Sequence, residues 1–192
     1  MTSHAPAGTA VSIIGGSAAG LFAACLLSRR QVPVRVFERA DRLDPLSRTL
    51  IVTSRMRDLL GSVGETAVVN EIRRFELFTD GRVASISLAR PDLIIERATL
   101  IRALAQHARA HGAEIVFGKR FVGFEPQATG LTLCFAGAGL ADRFHATTVI
   151  GADGALSRVA QAAGWPRQAT VPLVQAVVRL PADLPPDSVR VW

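Results

Sequence analysis

The stretch VSIIGGSAAGLFAACLLSRRQVPVRVFE, residues 11–38, decides the fold. An apolar strand over 10–14 runs through glycines into an Ala/Leu-rich helix over 18–29, and a β-branched strand over 32–37 ends at Glu38. Strand, helix and strand within about 30 residues form the βαβ unit of a parallel, dinucleotide-binding sheet. Gly15-Gly16-Ser17-Ala18-Ala19-Gly20 occupies the turn, in the place of a GxGxxG fingerprint. Gly15 permits the tight turn, position 17 lets the backbone approach a pyrophosphate, and Gly20 lets the helix lie close on the strand. The helix N-terminus offers unpaired N–H groups and partial positive charge to the phosphates. Gly15, Gly16, Ser17, Ala19 and Gly20 are therefore expected to bind the cofactor. Ser17 replaces the middle glycine with a small residue whose hydroxyl can donate to a phosphate. Glu38 stands where a carboxylate accepts both hydroxyls of an adenosine ribose, which disfavours a 2′-phosphate. Arg39, next in the chain, is placed to cover the adenine face.

Composition narrows the remaining classes. The chain has 192 residues, 49% hydrophobic and 20% charged, enough for one sizeable domain or one domain with part of another. No apolar run reaches the roughly 18 to 20 residues of a membrane span, and residues 1–10 lack the basic start of a signal peptide. A cytoplasmic globular protein without an integral membrane segment is expected. The net charge of +6 raises the question of nucleic acid. Its arginines are scattered, as in Arg29-Arg30, Arg55, Arg57 and Arg73-Arg74, and tyrosine is absent. Without a basic stripe or aromatic interleaving, no nucleic-acid partner is expected. Cys25 and Cys134 form no CxxC pair, so no redox dithiol is indicated.

After Glu38 the pattern leaves the parallel repeat. A helix is expected over 54–60, extending toward 72. Strands over 75–79 and 83–88 flank Asp80-Gly81, a dipeptide suited to the positive φ angles of a tight hairpin. A helix over 96–110 ends at His111-Gly112, and a strand over 114–117 follows. Residues 121–125 and 131–135 suggest an antiparallel pair, 147–150 a strand stopping at Gly151-Ala152-Asp153-Gly154, and 157–163 a helix. Strand character returns over 171–180 and again from Val189 to Trp192. A simple NAD domain would enter its second βαβ half sooner. The long excursion points to a flavoprotein.

Residues 11–38, together with Val149-Ile150-Gly151-Ala152-Asp153-Gly154-Ala155-Leu156-Ser157, resemble the FAD-dependent monooxygenase and geranylgeranyl-reductase-like superfamily, in its N-terminal part. The resemblance implies an α/β fold: a glutathione-reductase-type, Rossmann-like FAD-binding domain carrying part of an antiparallel substrate-domain sheet. The expected division is 1–165 for FAD, with hairpin 74–89 reaching the substrate side, and 166–192 for the start of a truncated substrate domain. Asp153 and Gly154 match the segment that supports the FAD pyrophosphate and, in hydroxylases, the approach of NAD(P)H. Ala160 stands where an Arg usually closes that segment, with Arg158 nearby. Arg48 resembles the Arg that reaches the flavin phosphates, and Arg97 the Arg heading the helix beside the flavin.

The implied activity is that of an FAD-dependent oxidoreductase with a small or apolar organic substrate. A hydroxylase would draw on NAD(P)H and O2, whereas a related reductase would reduce an alkene. No catalytic residue is identified. The alternative is a non-catalytic or incomplete FAD-binding module, either missing its C-terminal half or completed by a second polypeptide. His107 and His111 stand four apart on a helix, but at its last turn and without a third ligand, so no metal site is expected. Glu71, Glu76 and Glu96 have no recognisable acid–base partner.

Overall fold

The computed structural model describes residues 11–137, 140–179 and 181–192, without the side chains of 137–142. Its first elements are β1 (Val11–Ile14), α1 (Ala18–Ser28), β2 (Val34–Phe37), β3 (Thr49–Val52), α2 (Arg55–Leu60) and α3 (Ser62–Glu65). The long strands β4 (Val68–Thr79) and β5 (Arg82–Glu96) lead into α4 (Arg97–Ala110) and β6 (Glu114–Val116). The chain continues through β7 (Arg120–Gln127), β8 (Gly130–Gly137), β9 (Leu140–Ala146), β10 (Thr148–Gly151), α5 (Arg158–Ala162) and β11 (Ser188–Val191). They form two compact units, residues 1–44 with 104–170 and residues 45–103 with 171–192. The second unit thus takes in 45–103, which the sequence reading grouped with the FAD-binding part.

The first unit holds a four-stranded parallel sheet in the order β10-β1-β2-β6. Its strands are short and β-branched, and Ser12, Ile13, Ile14, Val36 and Phe37 are buried, as a sheet covered on its faces requires. α1 presents Gly20, Leu21, Ala24, Cys25 and Ser28 to the interior. Cys25 Sγ donates to the Leu104 carbonyl at 3.2 Å, joining α1 to the C-terminal half of α4. This thiol is structural, and burial raises its pKa.

A three-stranded antiparallel sheet, β7-β8-β9, completes this unit. Ile14, Phe37, Phe121, Leu133, Phe135 and Ala146 form one apolar cluster. Phe37 lies 4.4 Å from the ring of Phe135 and 5.0 Å from that of Phe144. Each such side chain contributes roughly 1.5–3 kcal/mol on burial. The ends of β1 and β2 are thereby fixed where the glycine loop begins.

The second unit is a sheet in the order β11-β4-β5-β3. Asp80 (φ 42°) and Gly81 (φ 73°) make the β4–β5 turn with Thr79 opposite Arg82, as the dipeptide predicts. The strands run well beyond the expected 75–79 and 83–88. The helix expected to continue toward 72 resumes after a break as α3 and ends at Glu65. Gly61 breaks it at φ 53°, and β4 begins at Val68 because the alternating segment finds a partner in β5. Residues 171–179 have no regular structure, contrary to the strand reading. Pro172 removes one donor, and Val174 and Val177 are fully exposed at 97% and 101%. Strand propensity without a pairing edge makes no strand. Leu180, and Ala10 of the first expected strand, lie outside the described residues.

Candidate functional site in the parallel-sheet unit

β1 is flanked by β2, reached through α1, and by β10, which arrives late in the chain. This is a topological switch point, where ligands of open parallel sheets bind outside the carboxyl ends of the strands. Three loops converge at it. The Gly15 N–H donates to the Phe37 carbonyl at 2.9 Å, and the Ala152 N–H to the Ile14 carbonyl at 2.8 Å. The 15–20 segment, Glu38 and the 152–154 segment are thus neighbours, although distant in sequence.

The glycines have steric reasons. A Cβ on Gly20 would sit 1.9 Å from the Gly15 carbonyl oxygen, so helix and loop meet at a distance only hydrogen permits. Gly15 has φ +109°, and a Cβ there would lie 2.3 Å from the Ala152 oxygen. The third residue, Ser17, has extended backbone (φ −97°, ψ −170°) and no side-chain cap bond. Its carbonyl accepts from Leu21 N, starting the helix. No acidic residue occupies the first turn of α1. The N–H groups of Ala18, Ala19 and Gly20 therefore have no side-chain acceptor among the described residues, which suits an anion.

Glu38 sits within this arrangement. Its Oε2 accepts the Gly16 N–H at 2.7 Å and its Oε1 the Ala40 N–H at 2.9 Å. Each oxygen retains acceptor capacity. A side chain on Gly16 would press on Glu38, with Cβ 3.0 Å from Oε2. Arg39 is exposed and makes no side-chain hydrogen bond or ion pair among the described residues.

Asp153 has a local task that the sequence did not reveal. Its Oδ1 accepts the Ser157 hydroxyl at 2.6 Å, and its Oδ2 accepts the N–H groups of Arg158 and Val159 at 2.6 and 3.2 Å. Ser157 in turn accepts the Ala160 N–H at 3.0 Å. The carboxylate caps α5 and fixes the loop that carries Ala152 and Gly154. Gly154 has φ +89° with open space about it. Arg158 is exposed, its guanidinium 3.4 Å from Gln161 Oε1.

Arg48 and Arg97 lie in the second unit, described by itself. The Arg97 N–H donates to the Arg48 carbonyl at 2.9 Å. Burial, and next the nearby Arg48 charge, lower the Arg97 pKa. The Glu96 carboxylate acts on Arg97 in the opposite sense. Glu96 is the start of α4: it accepts the N–H groups of Thr99 at 2.6 Å and Ala98 at 3.1 Å. Those bonds, led by Thr99, hold its pKa down at about 2.

Glu71 and Glu76 are committed to arginines. Glu71 binds Arg57 at 3.0 Å and Arg73 at 2.7 Å, while Glu76 binds Arg190 at 2.9 Å. His111 Nδ1 lies 2.8 Å from the His107 carbonyl, at the end of α4. No group of three or more His, Cys, Asp or Glu is placed to hold a metal among the described residues. Among the same residues, no helix is long and apolar enough to cross a membrane.

A parallel sheet with a glycine turn, an uncapped helix start and a carboxylate at the second strand defines a dinucleotide-binding protein of the α/β class. Residues 8–186 match the FAD binding domain family, and the chain belongs to it. It is 23% identical over 174 residues to a flavin-dependent monooxygenase of Mycobacteroides abscessus, covering 80% of this chain and 37% of that one. Its fold is similar to that of the flavin-dependent monooxygenase PieE, solved with FAD and substrate. That match has a TM-score of 0.69 and 24% identity over 83% of this chain and 33% of the other. It is also similar to OxyS anhydrotetracycline hydroxylase from Streptomyces rimosus, with a TM-score of 0.68 and 23% identity over 80% and 33% of the two chains. The chain thus spans just over a third of the curated relative's length.

Proposed function

We propose that the parallel-sheet unit binds the ADP half of FAD and that the chain is the flavin-holding part of an NAD(P)H-dependent monooxygenase. The observation that carries this is the junction of the uncapped α1 N-terminus with the Glu38 carboxylate across Gly16. Bound FAD supplies the redox chemistry, and the residues here orient it.

The N–H groups of Ala18, Ala19 and Gly20 receive the pyrophosphate, with Ser17 as an added donor. Glu38 keeps the ribose end in register and repels a 2′-phosphate. Asp153 acts at one remove: by capping α5 it sets the position of Ala152 and Gly154 against Gly15. Arg48 and Arg97 neutralise a phosphate or another anionic part of the cofactor, which relieves their mutual repulsion. In this reading 1–165 carries the cofactor, and hairpin 74–89 with 166–192 serves the substrate side, where a small or apolar organic molecule is oxygenated.

The test is direct. The purified chain, titrated with FAD, should turn yellow and shift the flavin absorption bands, and Gly20→Val should abolish both changes. A wild-type chain that stays colourless overturns the proposal. Bleaching by NADH or NADPH under anaerobic conditions reports the reductant. A protein that binds FAD and is bleached by neither would rule out the NAD(P)H part.

A further inference from the structure

The Asp-Gly dipeptide occurs twice in the chain, as Asp80-Gly81 and Asp153-Gly154, and the fold treats the two differently. At the second, three donors hold the carboxylate. Oδ1 accepts the Ser157 hydroxyl at 2.6 Å, and Oδ2 accepts the N–H groups of Arg158 and Val159 at 2.6 and 3.2 Å. At the first, the Asp80 carboxylate makes no hydrogen bond or ion pair among the described residues.

The surroundings of Asp80 add to the difference. Asp80 and Gly81 form the tip of the β4–β5 hairpin, and every residue from 79 to 87 is exposed, whichever face of the sheet it occupies. A hairpin end without buried side chains opens locally at little cost. No other part of the chain comes within 4 Å of where a Cβ on Gly81 would sit, so nothing crowds the dipeptide. Gly154 is equally open, so room alone does not separate the two sites. The hydrogen bonds on the carboxylate and the loose hairpin end do.

We infer that Asp80-Gly81 is a site of spontaneous covalent modification, where aspartate isomerises to isoaspartate, and that its hydrogen bonds protect Asp153-Gly154 from the same reaction. The Gly81 nitrogen attacks Cγ of the protonated Asp80 side chain. An N–Cγ bond forms, a carboxyl oxygen leaves as water with the acid proton and the amide proton, and a succinimide results. Water then adds to one of its carbonyls. Opening at Cγ restores aspartate, whereas opening at the main-chain carbonyl leaves isoaspartate, with the chain running through the side-chain carbon. The water lost is regained and nothing is oxidised. Glycine as the attacking residue carries no Cβ to hinder the approach. At Asp153 the attack first has to break bonds that hold the carboxylate ionised and turned to the start of α5.

Isomerisation lengthens the backbone of a tight turn whose pairing of Thr79 with Arg82 sets the hairpin register. It also leaves a free main-chain carboxylate at an exposed tip, the group that isoaspartyl methyltransferases esterify with S-adenosylmethionine. The test needs no flavin and is separate from the cofactor proposal. The full chain is held in mildly acidic buffer, sampled over days and digested with trypsin, which releases Phe75–Arg82 and Phe144–Arg158. Methyl transfer to each peptide counts its isoaspartate. The first peptide should gain it at least about tenfold faster than the second, the equivalent of one charge-assisted hydrogen bond to be broken. In urea, where neither carboxylate is held, the two rates should converge. Ser157→Ala should raise the rate at Asp153. Asp80→Asn, which keeps a residue suited to the turn, should lose ammonia through the same succinimide.

The inference fails if the folded chain gains no isoaspartate at Asp80, or gains it as fast at Asp153. Rates that stay apart in urea overturn it as well, since local sequence rather than the fold would then separate the two dipeptides. So does an Asp80→Asn chain that keeps its ammonia, because the turn would then bar the cyclisation. An unchanged rate at Asp153 in Ser157→Ala removes the protective role of the hydrogen bonds.

Discussion

At Gly20 a single methyl group decides whether helix and loop can meet. A Cβ would lie 1.9 Å from the Gly15 carbonyl oxygen, which is backbone and has no rotamer to escape through. Gly20→Ala is expected to cost about 1–3 kcal/mol, the range for overpacking a fitted interior, and to weaken FAD binding. Chemical denaturation and a flavin titration check the two effects separately. At Glu38 the substitution Glu38→Gln keeps the shape but, whichever way the amide turns, sets an NH2 group against the N–H of Gly16 or of Ala40. That variant should bind FAD at least about tenfold more weakly, because a charge-assisted bond is replaced by a donor–donor conflict. Equal affinity in a calorimetric titration would remove Glu38 from the site.

Caps and turns set the behaviour of whole elements. The start of α4 depends on the ionised Glu96 carboxylate, which accepts the Thr99 and Ala98 N–H groups. Its pKa is about 2 in the folded chain against an ordinary value of 4.5, so the folded state binds fewer protons than the unfolded one. The stabilisation is complete above about pH 4.5 and is lost as pH falls toward about 2. Glu96→Gln should therefore melt below wild type at pH 7, and the gap should close across that acid window. A constant gap between pH 7 and pH 2, measured by circular dichroism, would contradict the capping role. At α5, Asp153→Ala removes an acceptor for two backbone N–H groups, and a loss of about 0.5–2 kcal/mol is expected. The Asp80-Gly81 turn was legible because both residues need φ above zero. The helix over 97–110 was legible through its periodicity, but the carboxylate that starts it was not, since a Glu ahead of a helix has many possible partners.

For the whole molecule, binding of a ligand to the folded state alone adds stability by mass action. FAD at about 100 times its dissociation constant should stabilise the chain by about 2.7 kcal/mol, raising its melting temperature in a concentration-dependent way. No shift on adding FAD would contradict the proposed cofactor. At this scale sequence and structure part company. Residues 171–179 carry strand-forming valines yet lie exposed, while β3 and β9, with little local signal, are held by their partners β5 and β8. Propensity is local, whereas a strand exists only through its neighbour.

The sequence by itself determined the βαβ unit of 11–38, the glycine turn, the acid that closes the second strand, and the Asp80-Gly81 hairpin. These depend on contacts and backbone angles within short range, which spacing and residue type record. Only the tertiary structure decided that Ala152 and Glu38 meet the glycine loop, that Asp153 caps α5, and that residues 45–103 join 171–192. Each depends on which strands become neighbours, and strand order follows from burial summed over the whole chain rather than from any one segment.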